Sequence, residues 1–322
     1  MQGIVNKFRL TNSAPVVIPM VHGAILSADQ SLATPMQVMH MCGILYAEAI
    51  GSVLWPVVVS WPDAAFTMSL LSQFIQNPGP AHWEVLKWVI VYLGSTKDLW
   101  LTFGGHSKLL AEGYCDADWG GQKHHHSISS YSFHMGGGAI LWSSQKQHIV
   151  MLSSTKAEYV AQTHAAKEAL WLHTFISEIC GVHRELLTIN CNNQGTITLS
   201  KDNKFHVQTK HIDICYHFIH KVVEDGKIHI EYIPTDDNVS HFYKASGENK
   251  VLPLRWATQT VASGMWSLVE AEAEVEAWAI FQTVLDSAAE HMGVRLNEHV
   301  LFSCYFTFML SQLRGSVRIM CL

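Results

Sequence analysis

The stretch from Thr155 to Cys180 constrains the fold most, because Ala161, Ala165, Ala169, Leu172, Ile176 and Ile179 recur at steps of three and four and give a helix one continuous apolar face. A helix of that kind has to bury its face against something, and its neighbours read as sheet. Gly113 to Asp116 ends a strand pattern, Tyr131 to Met135 alternates, the glycines at 136 to 138 turn, and Ala139 to Ser143 runs back. Leu186 to Cys191 and Lys227 to Tyr232 are further strands, with helices predicted over Asn193 to Ser200 and Thr209 to Asp225, the second capped by Gly226. Three strands, a helix, a strand, helices and a strand predict an α/β fold, a mixed sheet with helices packed on it.

Residues 1 to 106 read as mostly helical. Phe66, Leu70, Phe74 and Ile75 recur at helical spacing, Asn77-Pro78-Gly79-Pro80 is a turn, and Trp83, Leu86, Val89, Ile90 and Leu93 share one side of a helix from His82 to Leu93. The apolar run from Met39 to Trp61 contains His40 and Glu48 and is interrupted by Pro56, so a buried core helix is expected rather than a membrane span. Past Ala245 the character changes. Residues 267 to 290 are predicted to form an acidic amphipathic helix to which no chemistry attaches, and Val300 to Leu310 is too short for a span.

Hydrophobic residues make up 48% and charged residues 15% of the 322, which describes a folded chain. A net charge of −6 excludes a generally basic nucleic-acid wrapper and leaves room for a local basic stripe. The seven cysteines stand at irregular spacing with no C-x-x-C pair, so no disulfide partners and no cysteine zinc site are expected. With no apolar run at the N-terminus, a reducing intracellular setting, cytoplasmic or nuclear, is the expectation.

Two acids stand out. Asp116 ends a predicted strand and Glu158 lies one turn inside the long helix, and paired carboxylates from separate elements are what a magnesium site requires. Glu158 has a competing role, since Thr155-Lys156-Ala157-Glu158 spells a capping box. Asp118 reads as a solvated acid after a strand, and His124-His125-His126 has no cysteine partner to suggest zinc.

Further motifs carry a resemblance. Tyr-Ala-Glu-Ala-Ile-Gly-Ser at 46 to 52, His82-Trp83, Asp116-Ala117-Asp118-Trp119, Ser153-Ser154-Thr155, Ala157-Glu158-Tyr159, Ala165 to Leu172, Thr209 to Ile214 and Glu231-Tyr232-Ile233-Pro234-Thr235 occur in order. With them Gly113 to Ala245 resembles the ribonuclease H domain that ends copia-type retrotransposon polyproteins, and the residues before it resemble the last part of their reverse transcriptase. The resemblance implies a ribonuclease H-like mixed sheet. It also implies hydrolysis of the RNA strand of an RNA/DNA hybrid by two Mg²⁺ ions held on four carboxylates.

Asp116 and Glu158 match the first two acidic positions; the third is Asn192 and the fourth is His241, with the local spacing one residue short. Weakened metal binding and little or no cleavage are therefore expected, and without a Tyr-x-Asp-Asp turn no polymerase activity. Lys204, Lys210 and His211 are candidates to track a hybrid's phosphates. Three segments are expected: a reverse transcriptase remnant over 1 to 106, a ribonuclease H-like domain over 107 to 245 and a divergent tail over 246 to 322. The alternatives are an active nuclease in which Asp118, Asp236 or Asp237 substitutes, a non-cutting nucleic-acid-binding module, and a scaffold built on the tail.

Overall fold

The computed structural model describes residues 1–21, 24–103, 111–121, 125–136, 138–180, 186–201, 213–243 and 317–320. Five helices come first: α1 (Gln2–Lys7), α2 (Pro35–Met41), α3 (Tyr46–Ser60), α4 (Ala65–Ser72) and α5 (Pro80–Ser95). Helix α3 buries Ala49, Ile50, Val53, Pro56 and Val57 along one face. It runs through Pro56 instead of stopping there. The burial of Val53 and Val57 on either side holds the helix across the N–H that proline lacks. Helix α5 starts at Pro80, a favoured first position, and His82 Nδ1 accepts the Gly79 N–H at 2.8 Å. Trp61, Leu71, Leu86, Ile90 and Leu93 fill the core between these helices. Among the described residues no single helix is long and apolar enough to cross a membrane; α2 and α3 reach that length only as a pair bent by 52°.

Strand β1 (Trp100–Phe103) pairs antiparallel with β7 (Val317–Met320), so a late segment of the chain lies beside β1. The predicted acidic helix over 267 to 290 lies outside the described residues.

The main sheet is built from β2 (Glu112–Asp118), β3 (Ile128–Met135), β4 (Gly138–Lys146), β5 (Leu187–Cys191) and β6 (Ile228–Tyr232), in the spatial order β4-β3-β2-β5-β6. The first three are antiparallel neighbours, and β5 and β6 add in parallel to β2. Parallel neighbours need a crossover, and α6 (Ser154–Cys180) supplies it between β4 and β5. Its alanine stripe lies flat on the sheet: Ala165, Ala169 and Leu172 join Cys115, Phe133 and Ile189 in one core. Gly113 is required there, since a Cβ at that position would stand 2.6 Å from the Phe133 ring.

Helix α7 (Gln194–Lys201) is capped by Asn193, whose Oδ1 accepts the Thr196 N–H at 3.0 Å, and α8 (Asp213–Glu224) ends at Gly226 with φ +62°. A 3-10 helix, Val239–Tyr243, then packs on β2 and β3 and also touches the 3-10 turn Pro62–Ala64 of the helical part.

That turn carries an ionisable group. The Tyr92 hydroxyl donates to Asp63 Oδ2, and burial pushes the Asp63 carboxyl up to about 6 despite that bond and the backbone N–H groups of Asp63 and Ala64. A carboxyl whose folded value lies above its ordinary 3.8 stabilises the fold fully below about pH 4 and loses that contribution as pH rises through about 6. Asp63→Asn is therefore expected to flatten this part of the stability profile. Displacing a carboxyl by one pH unit corresponds to about 1.4 kcal/mol, so the gain at pH 7 is up to about 3 kcal/mol before the weakened Tyr92 bond is subtracted. Urea titrations at pH 4 and pH 7 check it, and equal slopes with pH in the two proteins would contradict it.

Candidate active site

Strands β2 and β5 run parallel, so the residues at their C-terminal ends emerge side by side at one edge of the sheet. Asp116 lies on β2 opposite Ser130 of β3 and is fully buried. Its Oδ1 accepts the Ala117 N–H at 2.8 Å, and its Oδ2 lies 3.2 Å from Nδ1 of His241. The histidine side chain is 27% exposed against 0% for the aspartate, so a buried acid holds the inner nitrogen of a ring whose outer edge reaches solvent.

His241 is held in place by a polar network. Asn238, 1% exposed, donates from Nδ2 to the Cys115 carbonyl at 2.9 Å and accepts the Ser240 N–H and hydroxyl on Oδ1 at 3.1 and 2.7 Å. Its own carbonyl accepts the His241 N–H at 3.1 Å. The Ser130 hydroxyl lies 3.0 Å from the Ser240 carbonyl and 3.3 Å from that of Asp116. Each of these donors faces an acceptor, which is how buried polar groups are tolerated.

Glu158 is 7% exposed, in the second turn of α6. The helix starts one residue earlier than expected, and the Ser153 hydroxyl accepts the Lys156 N–H at 3.3 Å. Ser153 thus serves as a cap of α6. Ala157 packs with Ala117 in one small cluster, which sets Glu158 beside the end of β2. The Cys115 thiol is pushed well up, first by its hydrogen bond with Cys191, then by burial and Cys191's charge, and further by the carboxylates of Glu158 and Asp116. Both acids therefore lie within electrostatic reach of one sulfur.

Asn192 follows the last residue of β5. Its Nδ2 donates to the Thr235 hydroxyl at 3.2 Å, while its Oδ1 is buried without a hydrogen bond. The Asp118 carboxylate folds over Gly121, where a Cβ would come within 1.8 Å of it, and Asp236 and Asp237 stand exposed on the turn Thr235–Asp237. Among the described residues no three His, Cys, Asp or Glu side chains converge to hold a metal ion. Of the histidine run, His126 Nδ1 lies 2.8 Å from the Gln147 carbonyl and His125 is exposed. Lys204, Lys210 and His211 lie outside the described residues.

The structure thus joins Asp116 to His241, sets Glu158 nearby and ties Asn192 to Thr235. Asn238, Ser240 and Ser130 were not anticipated. The signals that could have found them are a short Asn-x-Ser run after the Pro234 turn and serines at inward positions of β3. Gln147 belongs with them, donating to Ser129 Oγ at 2.8 Å and to the Ala157 carbonyl at 2.9 Å, so it fastens β3 to the first turn of α6.

No protein-family model matches the chain. It is similar to the retrovirus-related Pol polyprotein from transposon TNT 1-94 of Nicotiana tabacum, 37% identical over 74% of this chain and 18% of that protein. The polyprotein from transposon RE1 of Arabidopsis thaliana is 30% identical over 72% of this chain and 15% of its own length. The secreted RxLR effector protein 161 of Plasmopara viticola is 44% identical over 41% of this chain and 94% of its own. The chain thus spans less than a fifth of the transposon polyproteins that it matches. Among solved structures, LC11-RNase H1 in complex with an RNA/DNA hybrid aligns over 44% of this chain and 99% of its own, at 15% identity and a TM-score of 0.34.

Proposed function

The chain belongs to the family of copia-type retrotransposon polyproteins, and from that premise we propose that it is a ribonuclease H-like module that has lost the cleavage step its ancestors carried out. The ancestral reaction is two-metal hydrolysis of the RNA strand in an RNA/DNA hybrid. Asp116 and Glu158 remain of the four carboxylates, and Asn192 and His241 stand at the other two positions.

The carrying observation is the bond between Asp116 Oδ2 and His241 Nδ1 at 3.2 Å. Mg²⁺ takes hard oxygen donors in near-ideal octahedral geometry. Here one Asp116 oxygen already accepts the Ala117 N–H and the other faces an imidazole nitrogen, a poor magnesium ligand. Asn192 Oδ1, buried without a hydrogen bond, is an oxygen that suits a cation, but it is neutral. One neutral carbonyl-type donor, an aspartate whose two oxygens are both engaged, and the single further carboxylate of Glu158 do not fit a pair of divalent ions, and no step through metal is assigned to this chain.

The test is incubation of an end-labelled RNA/DNA hybrid with the purified protein in Mg²⁺ and then Mn²⁺, beside a Glu158→Gln variant. No cutting by either protein is expected. Cutting that disappears in the variant would mean the site works around Asp116 and Glu158 and would overturn the reading.

A further inference from the structure

Cys115 and Cys191 are in-register partners on β2 and β5, the parallel pair at the centre of the sheet. Both are free and fully buried. Neighbouring strands lie ~4.8 Å apart, and disulfides span Cα separations of ~4.4–6.8 Å. Parallel register also puts the two side chains on one face, where both enter the core under α6. We propose that Cys115 and Cys191 form a modification site at which hydrogen peroxide closes a reversible disulfide.

The register sets the two side chains beside one another, so either sulfur can react first. Oxidation takes one of them as its thiolate. That thiolate attacks one peroxide oxygen, an S–O bond forms, the O–O bond breaks, and the departing hydroxide leaves as water once protonated by solvent. The second thiol then attacks the first sulfur, the S–O bond breaks, and the hydroxyl leaves as a second water with the proton of the second thiol. Two thiols are oxidised to one disulfide and one peroxide is reduced to two waters. A low-molecular-weight thiol reverses it by exchange. Asp116 and Asn192 each follow one of these cysteines, so the bridge would tie the two strands directly beneath the candidate site. Scattered spacing argues against a permanent framework, and the topology nonetheless brings this one pair together.

The full-length protein is treated with peroxide, its remaining thiols are alkylated in denaturant, and the unreduced digest is read by mass spectrometry. The expected result is a cross-linked pair of peptides containing Cys115 and Cys191, two hydrogens lighter than their sum and released by dithiothreitol. Its yield should exceed that of any other cysteine pair several-fold, and should fall when the treatment is done in urea, where the cysteines pair without regard to the fold. Both peptides alkylated, both carrying sulfinic acid, or a yield no higher than in urea would overturn the proposal. The measurement is made on the unmodified chain, so it stands even where Cys115→Ser or Cys191→Ser, the variants that should abolish the species, fold poorly.

Discussion

The double substitution Asn192→Asp with His241→Asp is expected to turn a chain that leaves an RNA/DNA hybrid intact into one that cuts the RNA strand in Mg²⁺. Each change returns a negative oxygen ligand to the edge of the sheet where Asp116 emerges. A unit charge pair at about 4 Å in an effective dielectric of about 20 is worth roughly 4 kcal/mol, and about 1.4 kcal/mol is a decade of affinity. Half of that unit-charge figure surviving solvent at each of the two positions, about 4 kcal/mol together, strengthens binding by roughly three powers of ten.

The short spacing before His241 does not remove the position from reach, because the 3-10 helix already seats that residue on Asp116. His241→Asp alone should be destabilising in a metal-free buffer, since it sets a second carboxylate against Asp116 in place of an imidazole. Mg²⁺ should then raise the melting temperature of the double variant and leave the unmodified chain unmoved. Calorimetric titration of Mg²⁺ and a hybrid-cleavage gel read the two halves separately. A double variant that binds Mg²⁺ without cutting would show that more than ligands has been lost, and one that does neither would refute the assignment of Asn192 and His241.

Local pattern made the frame readable. The alanine stripe of α6 announced a long helix pressed flat against a sheet, and the order of strands and helices announced a mixed sheet, because both follow from period alone. Asp116 and Glu158 could be singled out because each stands at an element's edge. What stayed hidden depends on contacts far apart in the chain. Asn238 reaches Cys115 across 123 residues and His241 reaches Asp116 across 125, and no local periodicity encodes either. The start of α6 was ambiguous for a related reason: Ser153, Ser154 and Thr155 are all competent caps in the sequence, and only the structure shows the Ser153 hydroxyl taking the Lys156 N–H. That α3 runs on through Pro56 likewise depends on burial on both sides of it, which outweighs a lost hydrogen bond only in three dimensions.

Asn238→Ala is expected to be the most damaging single substitution near the site, destabilising the fold by about 3–5 kcal/mol, because each buried group left without its partner costs about 1–3 kcal/mol. The truncation strands the Cys115 carbonyl, the Ser240 N–H and the Ser240 hydroxyl in a region where Asn238, Ser240, Ser130 and Asp116 are all buried. Against a total stability of about 5–15 kcal/mol this leaves a marginal protein. Asn238→Asp keeps an acceptor for Ser240 but turns an oxygen toward the Cys115 carbonyl in place of the amide donor, so it should still be harmful. Ser240→Ala removes one hydroxyl, leaves the Asn238 bond to Cys115 intact and should cost about 1 kcal/mol. The expected order of urea midpoints is therefore Ser240→Ala above Asn238→Asp above Asn238→Ala, with little change in the slope of the transition if only the native state is affected. An Asn238→Ala midpoint within error of the unmodified chain would mean that the segment from Val239 to Tyr243 is held by its packing on β2 and β3 instead, and that His241 reaches Asp116 without the asparagine.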